Sequence, residues 1–267
     1  MEKKTVDLNR AAWNEAMGYL KKARGDSLEK GFADKDFTVL NREGEKVILD
    51  KLKWYDFRGK YIAQLQCNDG RELLSLMKLG ADKGLGFDLS DVAIEEAKKL
   101  AGISGLNAKF VTTNILDIGD EYNKLFDLVY ISEGSLQWFP DLNEYFKVVS
   151  RILKNGGRVY IHEIHPFAYL FEQIDEKNVD PKVSELASYF EHGPYSYPNG
   201  MDYVSGEKYE AKECSWYVHK VSDIINALRE NDIKVKDFQE YSAEVTNNPV
   251  TGKMKNLPLS YLIAGEK

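Results

Sequence analysis

Short apolar stretches alternate with amphipathic ones through the middle of the chain. From residue 60 onward, runs that are apolar almost throughout are separated by stretches whose apolar residues recur at helical spacing. The pattern predicts strands at 61–66, 84–88, 108–113, 128–132 and 158–164. It predicts helices at 72–79, 91–101 and 142–153. Nearly continuous apolar strands that alternate with helices are typical of a parallel sheet covered on both faces, so we expect a doubly wound α/β sheet.

The two ends of the chain follow other patterns. Near the start, one face of a predicted helix carries four apolar residues, Trp13, Ala16, Met17 and Leu20. Near the end, Ser222 is expected to cap a helix, and strands are predicted at 233–238 and 259–264. No repeat, low-complexity tract or proline-rich linker divides the sequence, so we expect a single domain over residues 1–267.

Composition and charge narrow the classes of function. The 267 residues are 43% hydrophobic and 30% charged, which is ordinary for a globular protein. No apolar run is long enough to span a membrane and the first residues lack a signal-peptide pattern, so we expect a cytoplasmic protein. The net charge of -7 argues against a nucleic-acid partner. Two isolated cysteines, Cys67 and Cys214, provide neither a disulfide framework nor a zinc knuckle.

Residues 167–217 are unusually rich in aromatic side chains. The segment contains eleven of them: Phe167, Tyr169, Phe171, Tyr189, Phe190, Tyr195, Tyr197, Tyr203, Tyr209, Trp216 and Tyr217. One interpretation is a subdomain that packs as core or forms a homodimer contact. The other is a lid over a small substrate, because doubly wound sheets bind ligands beyond the carboxyl ends of their strands.

Polar residues follow the first three predicted strands. The first strand leads through Gly70 into a helix, a place where backbone N–H groups can meet an anionic group. The second strand ends at Asp88, whose carboxylate could accept hydrogen bonds from a ribose diol, with Ser90 as a helix cap. An exposed strand-end aspartate is the alternative. Asn114 follows the third strand and could bind an adenine edge or only close a turn.

In this order and spacing, these motifs resemble the class I S-adenosylmethionine (SAM) dependent methyltransferases. The resemblance covers residues 60–166 and rests on the segments 65–70, 86–90, 114–117, 126–129 and 153–157. Within the family the chain looks closest to a bacterial branch with a Leu-Gln-Cys first motif and a Glu-x-His-Pro after strand five, here 65–67 and 163–166.

The resemblance implies a Rossmann-like, mainly parallel sheet with a C-terminal antiparallel hairpin. It divides the chain into an N-terminal helical cap (1–59), a cofactor-binding core (60–166), a lid insertion (167–217) and a C-terminal helix with strands (218–267). It implies SAM as cofactor, a small-molecule methyl acceptor, S-adenosylhomocysteine (SAH) as product and no metal. The residues expected to contact SAM are Gln66, Asn68, Gly70, Asp88, Leu89, Asn114, Ile115 and Ser132, with Trp13 and Tyr19 from the N-terminal helix.

The first motif departs from the family pattern. Two of its usual glycines are Gln66 and Asn68 here, and its usual acidic residue is Gln64. We expect Asn68 to adopt positive φ, which asparagine tolerates, and we expect the Gln66 amide to reach the methionine end of SAM. Because the acidic residue is lost, a SAM-binding protein without efficient turnover is the alternative function. A dinucleotide-binding dehydrogenase would need three glycines that this loop does not have.

The end of strand five offers candidate catalytic residues. A hydroxyl acceptor would need a base, and His165 and Glu163 are the candidates. Alternation along a strand places Glu163 and His165 on one face and His162 on the other. A histidine that only packs at the strand end is the alternative interpretation.

Overall fold

A single seven-stranded sheet organises the protein. The computed structural model describes residues 1–41, 50–52, 55–170, 188–242 and 257–267. The strands are β1 (Tyr61–Leu65), β2 (Lys83–Asp88), β3 (Ala108–Thr112), β4 (Phe126–Ile131), β5 (Leu153–Ile164), β6 (Lys234–Tyr241) and β7 (Ser260–Glu266). Their order is β3-β2-β1-β4-β5-β7-β6. Neighbours among the first five strands pair in parallel, whereas β7 is antiparallel to both β5 and β6. The doubly wound sheet and the C-terminal hairpin are therefore confirmed.

Helices cover both faces of the sheet. They are α1 (Lys3–Arg24), α2 (Ser27–Phe32), α3 (Arg71–Met77), α4 (Asp91–Ser104), α5 (Leu142–Ile152) and α6 (Val221–Glu230). Side chains of α5, α6 and part of α1 share one buried cluster with Ala63 and Leu65 of β1. Those of α2, α3 and α4 share a second cluster with Ile62, which points to the opposite face of the same strand. None of the described helices is long and apolar enough to cross a membrane.

Some element ends differ from the sequence prediction. Helix α6 begins at Val221 with Lys220 as its N-cap, so Ser222 lies in the first turn and the predicted serine cap is wrong. The Asp223 carboxylate instead accepts a hydrogen bond from the Lys220 backbone N–H at 3.2 Å. The predicted cap at Ser90 is confirmed, because its hydroxyl accepts from the Ala93 N–H at 3.1 Å.

Gly70 connects the end of β1 to helix α3. Its φ is +74°, and a Cβ atom there would lie 2.6 Å from the ring of Phe110. A side chain at this position would therefore meet both an unfavourable backbone conformation and a steric clash. Gly70 allows the chain to turn sharply, so that α3 starts directly beyond the sheet edge.

The described part of the insertion, residues 188–217, packs against α1 and the turn after β4; we call it the cover segment. The Asn9 amide exchanges two hydrogen bonds with the backbone of Ser215, at 2.8 and 3.1 Å. The Tyr217 N–H donates to the Gln137 carbonyl at 2.7 Å. Trp216 belongs to the buried cluster that contains Ala63 and Leu65 of β1, which we call the main buried cluster. The cover segment is thus part of the folded core, whereas Phe171 of the sequence-predicted lid lies outside the described residues.

Candidate functional site

The loop that follows β1 has an unusual backbone. Gln66 and Asn68 have φ values of +48° and +50°. The positive φ predicted for Asn68 is confirmed, and Gln66 shares this left-handed conformation. Three residues out of five in the loop, counting Gly70, thus adopt a conformation that L side chains rarely take. Such strain is maintained only where the surrounding structure fixes the loop.

Asp88 lies at the carboxyl end of β2, directly beside this loop. Its Oδ2 accepts from the Asn68 N–H and its Oδ1 from the Ser90 N–H, both at 2.8 Å. Burial raises the pKa of Asp88 to about 6, although the backbone donors act in the opposite direction. The Leu89 N–H also interacts with this carboxylate, so three backbone N–H groups face it. A carboxylate offers about four acceptor sites, which leaves capacity for hydroxyl donors of a ligand.

The Gln66 side chain connects the loop after β1 to neighbouring parts of the protein. Its Nε2 donates to the Ser135 carbonyl and its Oε1 accepts from the Tyr145 hydroxyl, each at 2.9 Å. The amide thereby links the loop after β1 to the turn after β4 and to helix α5. Both ends of the amide are thus bonded within the protein, and its contact with the methionine end of SAM stays a prediction.

Glu163 fixes the turn after β4. Its two oxygens accept from the backbone N–H groups of Gly134, Ser135, Leu136 and Ile164. Burial raises the pKa of Glu163 to about 7, while the four amide donors act to lower it. These four hydrogen bonds let Glu163 position the loop after β4. Its role as a base stays a prediction.

His165 lies at the other side of the β5 end. Its Nδ1 accepts from the Phe167 N–H at 3.1 Å, and its Nε2 lies 3.0 Å from a carboxylate oxygen of Glu240 on β6. This arrangement needs a neutral ring that donates from Nε2, and burial lowers the pKa of His165 accordingly, against the effect of Glu240. Both ring nitrogens are thus engaged within the protein, and the role of His165 as a base stays a prediction.

Asn114 closes its own turn after β3. Its Nδ2 donates to the Asp117 carboxylate at 3.2 Å and its Oδ1 accepts from the Leu116 N–H at 3.5 Å. These bonds favour the turn interpretation. Ile115 is buried in the main cluster. On the neighbouring strand, the Leu89 carbonyl accepts from the Arg10 side chain of α1 at 3.3 Å, which places α1 against the β2 end.

Helix α1 carries the two aromatic residues that are expected to contact the cofactor. The ring of Trp13 packs edge-on against Trp138, with centroids 5.4 Å apart, and the neighbouring Asn14 accepts from the Ser90 hydroxyl. Trp13 therefore lies close to the β2 and β4 ends. The ring of Tyr19 stacks on Tyr209 of the cover segment, with centroids 3.8 Å apart. Contact of either residue with SAM stays a prediction.

The aromatic side of the site is tightly closed. Trp216 stacks on Tyr197 with centroids 5.1 Å apart, and Tyr197 reaches Trp138 at 6.2 Å. Near this cluster, a cavity of about 10 Å³ is lined by ten residues, among them Glu163, Tyr169 and Tyr217 of the cover segment. That volume suits one water molecule and is too small for an organic acceptor.

Two further groups of polar contacts lie beside the site, one around Gln64 of the first motif and one around Asp69. Gln64, almost fully buried on β1, donates from Nε2 to Glu72 at 2.7 Å and to the Ser132 hydroxyl at 3.1 Å, while its Oε1 has no partner. Asp69 forms ion pairs with Arg24 at 2.7 Å and with Arg71 at 3.6 Å. Only the position of Glu72 and Arg71 beside Gly70 hinted at either group.

Comparison with known proteins gives a family match for part of the chain. Residues 62–157 match the family model described as "Methyltransferase domain". No curated protein sequence matches the chain significantly. The matched residues begin in β1 and end within β5, so they contain the loop after β1, Asp88 and Asn114.

Solved structures resemble the chain over most of its length. An S-adenosylmethionine dependent methyltransferase from Mesorhizobium loti aligns with a TM-score of 0.63 and 18% identity, covering 85% of this chain and 100% of that one. A SAM-dependent methyltransferase from Methanosarcina mazei aligns with a TM-score of 0.57 and 19% identity, covering 81% of this chain and 96% of that one. Geranyl diphosphate C-methyltransferase from Streptomyces coelicolor A3(2), in complex with Mg²⁺, geranyl diphosphate and SAH, aligns with a TM-score of 0.56 and 15% identity, covering 91% of this chain and 84% of that one. The chain thus has the Rossmann-like fold of SAM-dependent methyltransferases.

Proposed function

We propose that the protein is a SAM-dependent methyltransferase that acts on a small molecule and leaves SAH. The observation that carries the proposal is the buried Asp88 carboxylate at the carboxyl end of β2, directly beside the left-handed loop after β1, in this fold. The unpartnered Gln64 oxygen at the neighbouring strand end adds a buried acceptor. Both groups are hydrogen-bond acceptors, and the hydroxyl and amino groups of SAM are hydrogen-bond donors. The family match over residues 62–157 supports the assignment.

Each of these residues contacts or positions a different part of SAM. The cofactor supplies a methyl group on a sulfonium sulfur. Asp88 accepts from the ribose diol, as acidic residues at this strand end do in nucleotide-binding sheets. The backbone beside Asn114 and Ile115 lies at the β3 end, where adenine is expected. Trp13 covers the cofactor from α1, and Asn68 and Gly70 shape the loop around it. Gln66 and Glu163 keep the two loops in place.

The acceptor is proposed to be small and largely apolar or aromatic. Methyl transfer from a sulfonium needs mainly alignment and a dry site, so a base at His165 or Glu163 is not required. The rings of Trp138, Tyr197 and Trp216 supply an apolar wall beside the β4 and β5 ends. The geranyl diphosphate methyltransferase among the similar structures acts on a small molecule with an apolar chain. We infer that residues 167–217 act as the lid.

A SAM-binding protein without efficient turnover is the second candidate. The cavity of about 10 Å³ beside Glu163 favours it, because pockets for small ligands usually measure hundreds of Å³. The two candidates share the cofactor site and differ in whether the cover segment opens for an acceptor.

Methyl transfer from labelled SAM to a panel of small phenols, amines, carboxylates, thiols and prenyl compounds tests the proposal. We expect a labelled product together with stoichiometric SAH. Binding of SAH without any product across the panel would favour the second candidate. Absence of SAM and SAH binding would contradict both.

The affinity for SAH is expected to depend on pH through Asp88. Its pKa of about 6 means that the carboxyl group is mainly ionised above pH 6 and mainly protonated below it. Because the ionised form accepts both ribose hydroxyls, affinity should fall by up to about tenfold per unit as pH decreases below 6. Calorimetry between pH 5 and 7.5 checks this dependence.

The Asp88→Asn variant serves as the control for that titration. Its affinity should be weaker than that of the wild type at pH 7.5 and nearly constant over the same pH range. Glu163, whose pKa is about 7, titrates in both proteins and is removed by the comparison. An equal pH dependence in the two proteins would assign the effect to another group.

A further inference from the structure

Gln64 and Glu72 form a buried contact that presents only acceptors to the site. Gln64 is 1% exposed at the penultimate residue of β1, and Glu72 is half-buried in the first turn of α3. The Gln64 Nε2 donates to the Glu72 Oε2 at 2.7 Å and to the Ser132 hydroxyl at 3.1 Å. Both hydrogens of the Gln64 amide are therefore used within the protein.

The orientation of the Gln64 amide follows from its partner. A carboxylate can only accept hydrogen bonds, so the amide must turn its NH₂ group to Glu72. Its Oε1 is consequently left buried without a partner. A buried acceptor without a donor costs about 1–3 kcal/mol, and native structures rarely retain one without a reason. The Gln64 Oε1 therefore needs a hydrogen-bond donor from outside the described residues.

The Glu72 carboxylate has no direct ion pair. Nearby, Asp69 is shared by Arg24 and Arg71, at 2.7 and 3.6 Å. Among the described residues, no cationic nitrogen lies within 4.0 Å of Glu72, and the Arg71 guanidinium, which pairs with Asp69, attracts this carboxylate only from a longer distance. An amide oxygen without a partner and a carboxylate without a direct ion pair thus lie side by side at the carboxyl end of the sheet. The ligand group that complements them is a cation with several donors and no acceptor.

We propose that Gln64 and Glu72 together bind the α-ammonium group of the methionine moiety of SAM. The inference rests on the proposed function. An ammonium group has three N–H donors and no acceptor, so it can satisfy the Gln64 Oε1 and a Glu72 oxygen at once. The carboxylate for this subsite comes from helix α3 and not from the strand.

The glutamine at position 64 follows from the same arrangement. Two carboxylates in contact could not both stay ionised without a cost, because like charges at this distance raise the pKa of one of them. With Glu72 in place, an amide at residue 64 keeps the contact bonded and leaves the cofactor one charged and one neutral acceptor.

The first test changes the ligand and leaves the protein unaltered. Calorimetry compares SAH with its deaminated analogue, in which hydrogen replaces the α-amino group. We expect the analogue to bind about 10- to 100-fold more weakly, the range of one or two charge-assisted hydrogen bonds. Equal affinities would overturn the inference. If SAH itself does not bind, the proposed function fails instead, so the two failures are distinguishable.

The second test moves the carboxylate. Glu72→Gln should weaken SAH binding about 10- to 100-fold and change the affinity for the deaminated analogue less than about threefold. Glu144→Gln, which removes a carboxylate from the first turn of α5, is the matched control and should leave both affinities unchanged. An equal loss for both ligands in Glu72→Gln would mean a structural role only and would overturn the inference.

The double variant Gln64→Glu with Glu72→Gln returns the carboxylate to the strand. Glutamate and glutamine have the same shape. In the double variant the amide at residue 72 donates to the carboxylate at residue 64, so the hydrogen bond between the two positions is retained with donor and acceptor exchanged. SAH affinity should therefore recover to within about fivefold of the wild type. A folded double variant that binds no better than Glu72→Gln would contradict the inference.

Discussion

Replacing Gln66 with glycine is expected to destabilise the protein, although the family pattern has glycine at this position. The substitution removes the hydrogen bonds to Ser135 and Tyr145 and leaves the Tyr145 hydroxyl buried without a partner, whereas the Ser135 carbonyl still accepts from the Trp138 N–H at 3.3 Å. The orphaned hydroxyl costs about 1–3 kcal/mol and the loss of the other hydrogen bond about 0.5–1.5 kcal/mol. Glycine relieves the strain of φ +48°, which is worth roughly 1–2 kcal/mol. The loss is larger, so we expect a net destabilisation of about 1–2 kcal/mol.

Asn68→Gly is the matched control for Gln66→Gly. Asn68 has nearly the same φ, but its side-chain oxygen accepts only from the neighbouring Asp69 N–H. Glycine there should change the unfolding free energy by less than about 1 kcal/mol, whereas a β-branched valine should destabilise the loop. Denaturant titration of the three variants checks these values. A Gln66→Gly protein as stable as the wild type would show that the Gln66 amide does not hold the two loops together.

Replacing Asp88 with alanine is expected to weaken SAM and SAH binding by at least about 100-fold. The carboxylate contributes two charge-assisted hydrogen bonds to the proposed ribose site, each worth about 1.5–3 kcal/mol. Because Asp88 also accepts from Asn68 and Ser90, alanine will additionally loosen the loop after β1. The test therefore measures the SAH affinity by titration calorimetry and, separately, the thermal midpoint of the unliganded variant.

Two controls separate binding from folding at Asp88. Asp88→Asn retains the size and one accepting oxygen, so it should lose less stability than Asp88→Ala and still lose affinity. Asp82→Ala removes an exposed carboxylate just before the amino end of the same strand. Its affinity for SAH should match that of the wild type. An Asp88→Ala protein that stays folded and binds SAH normally would remove Asp88 from the site.

Local features of the fold were predictable from the sequence. The Ser90 cap, the positive φ of Asn68 and the position of Asp88 at a strand end depend on residues within a few positions of each other. Residue type and spacing determine such features directly. The sheet also followed from the pattern, because continuous apolar strands require helices on both faces.

The long-range contacts of the site were not predictable in this way. The sequence does not show that the Gln66 amide accepts from the Tyr145 hydroxyl, because Tyr145 is 79 positions away. Strand alternation predicts that His165 and Glu163 share a face, but it does not show that one bonds Glu240 on β6 and the other the turn after β4. The stacking of Tyr19 on Tyr209 of the cover segment likewise has no local signal. Such partners depend on the tertiary arrangement.

The central claim is that SAM binds across the carboxyl ends of β1, β2 and β3. Amide hydrogen exchange of the full chain, measured with and without SAH, tests that claim most directly. We predict slower exchange at residues 64–72, 86–90 and 113–117, because bound ligand suppresses the local opening of the segments that hold it. Residues at the opposite edge of the sheet should exchange unchanged. Saturating SAH that leaves exchange in all three segments unaltered would contradict the account.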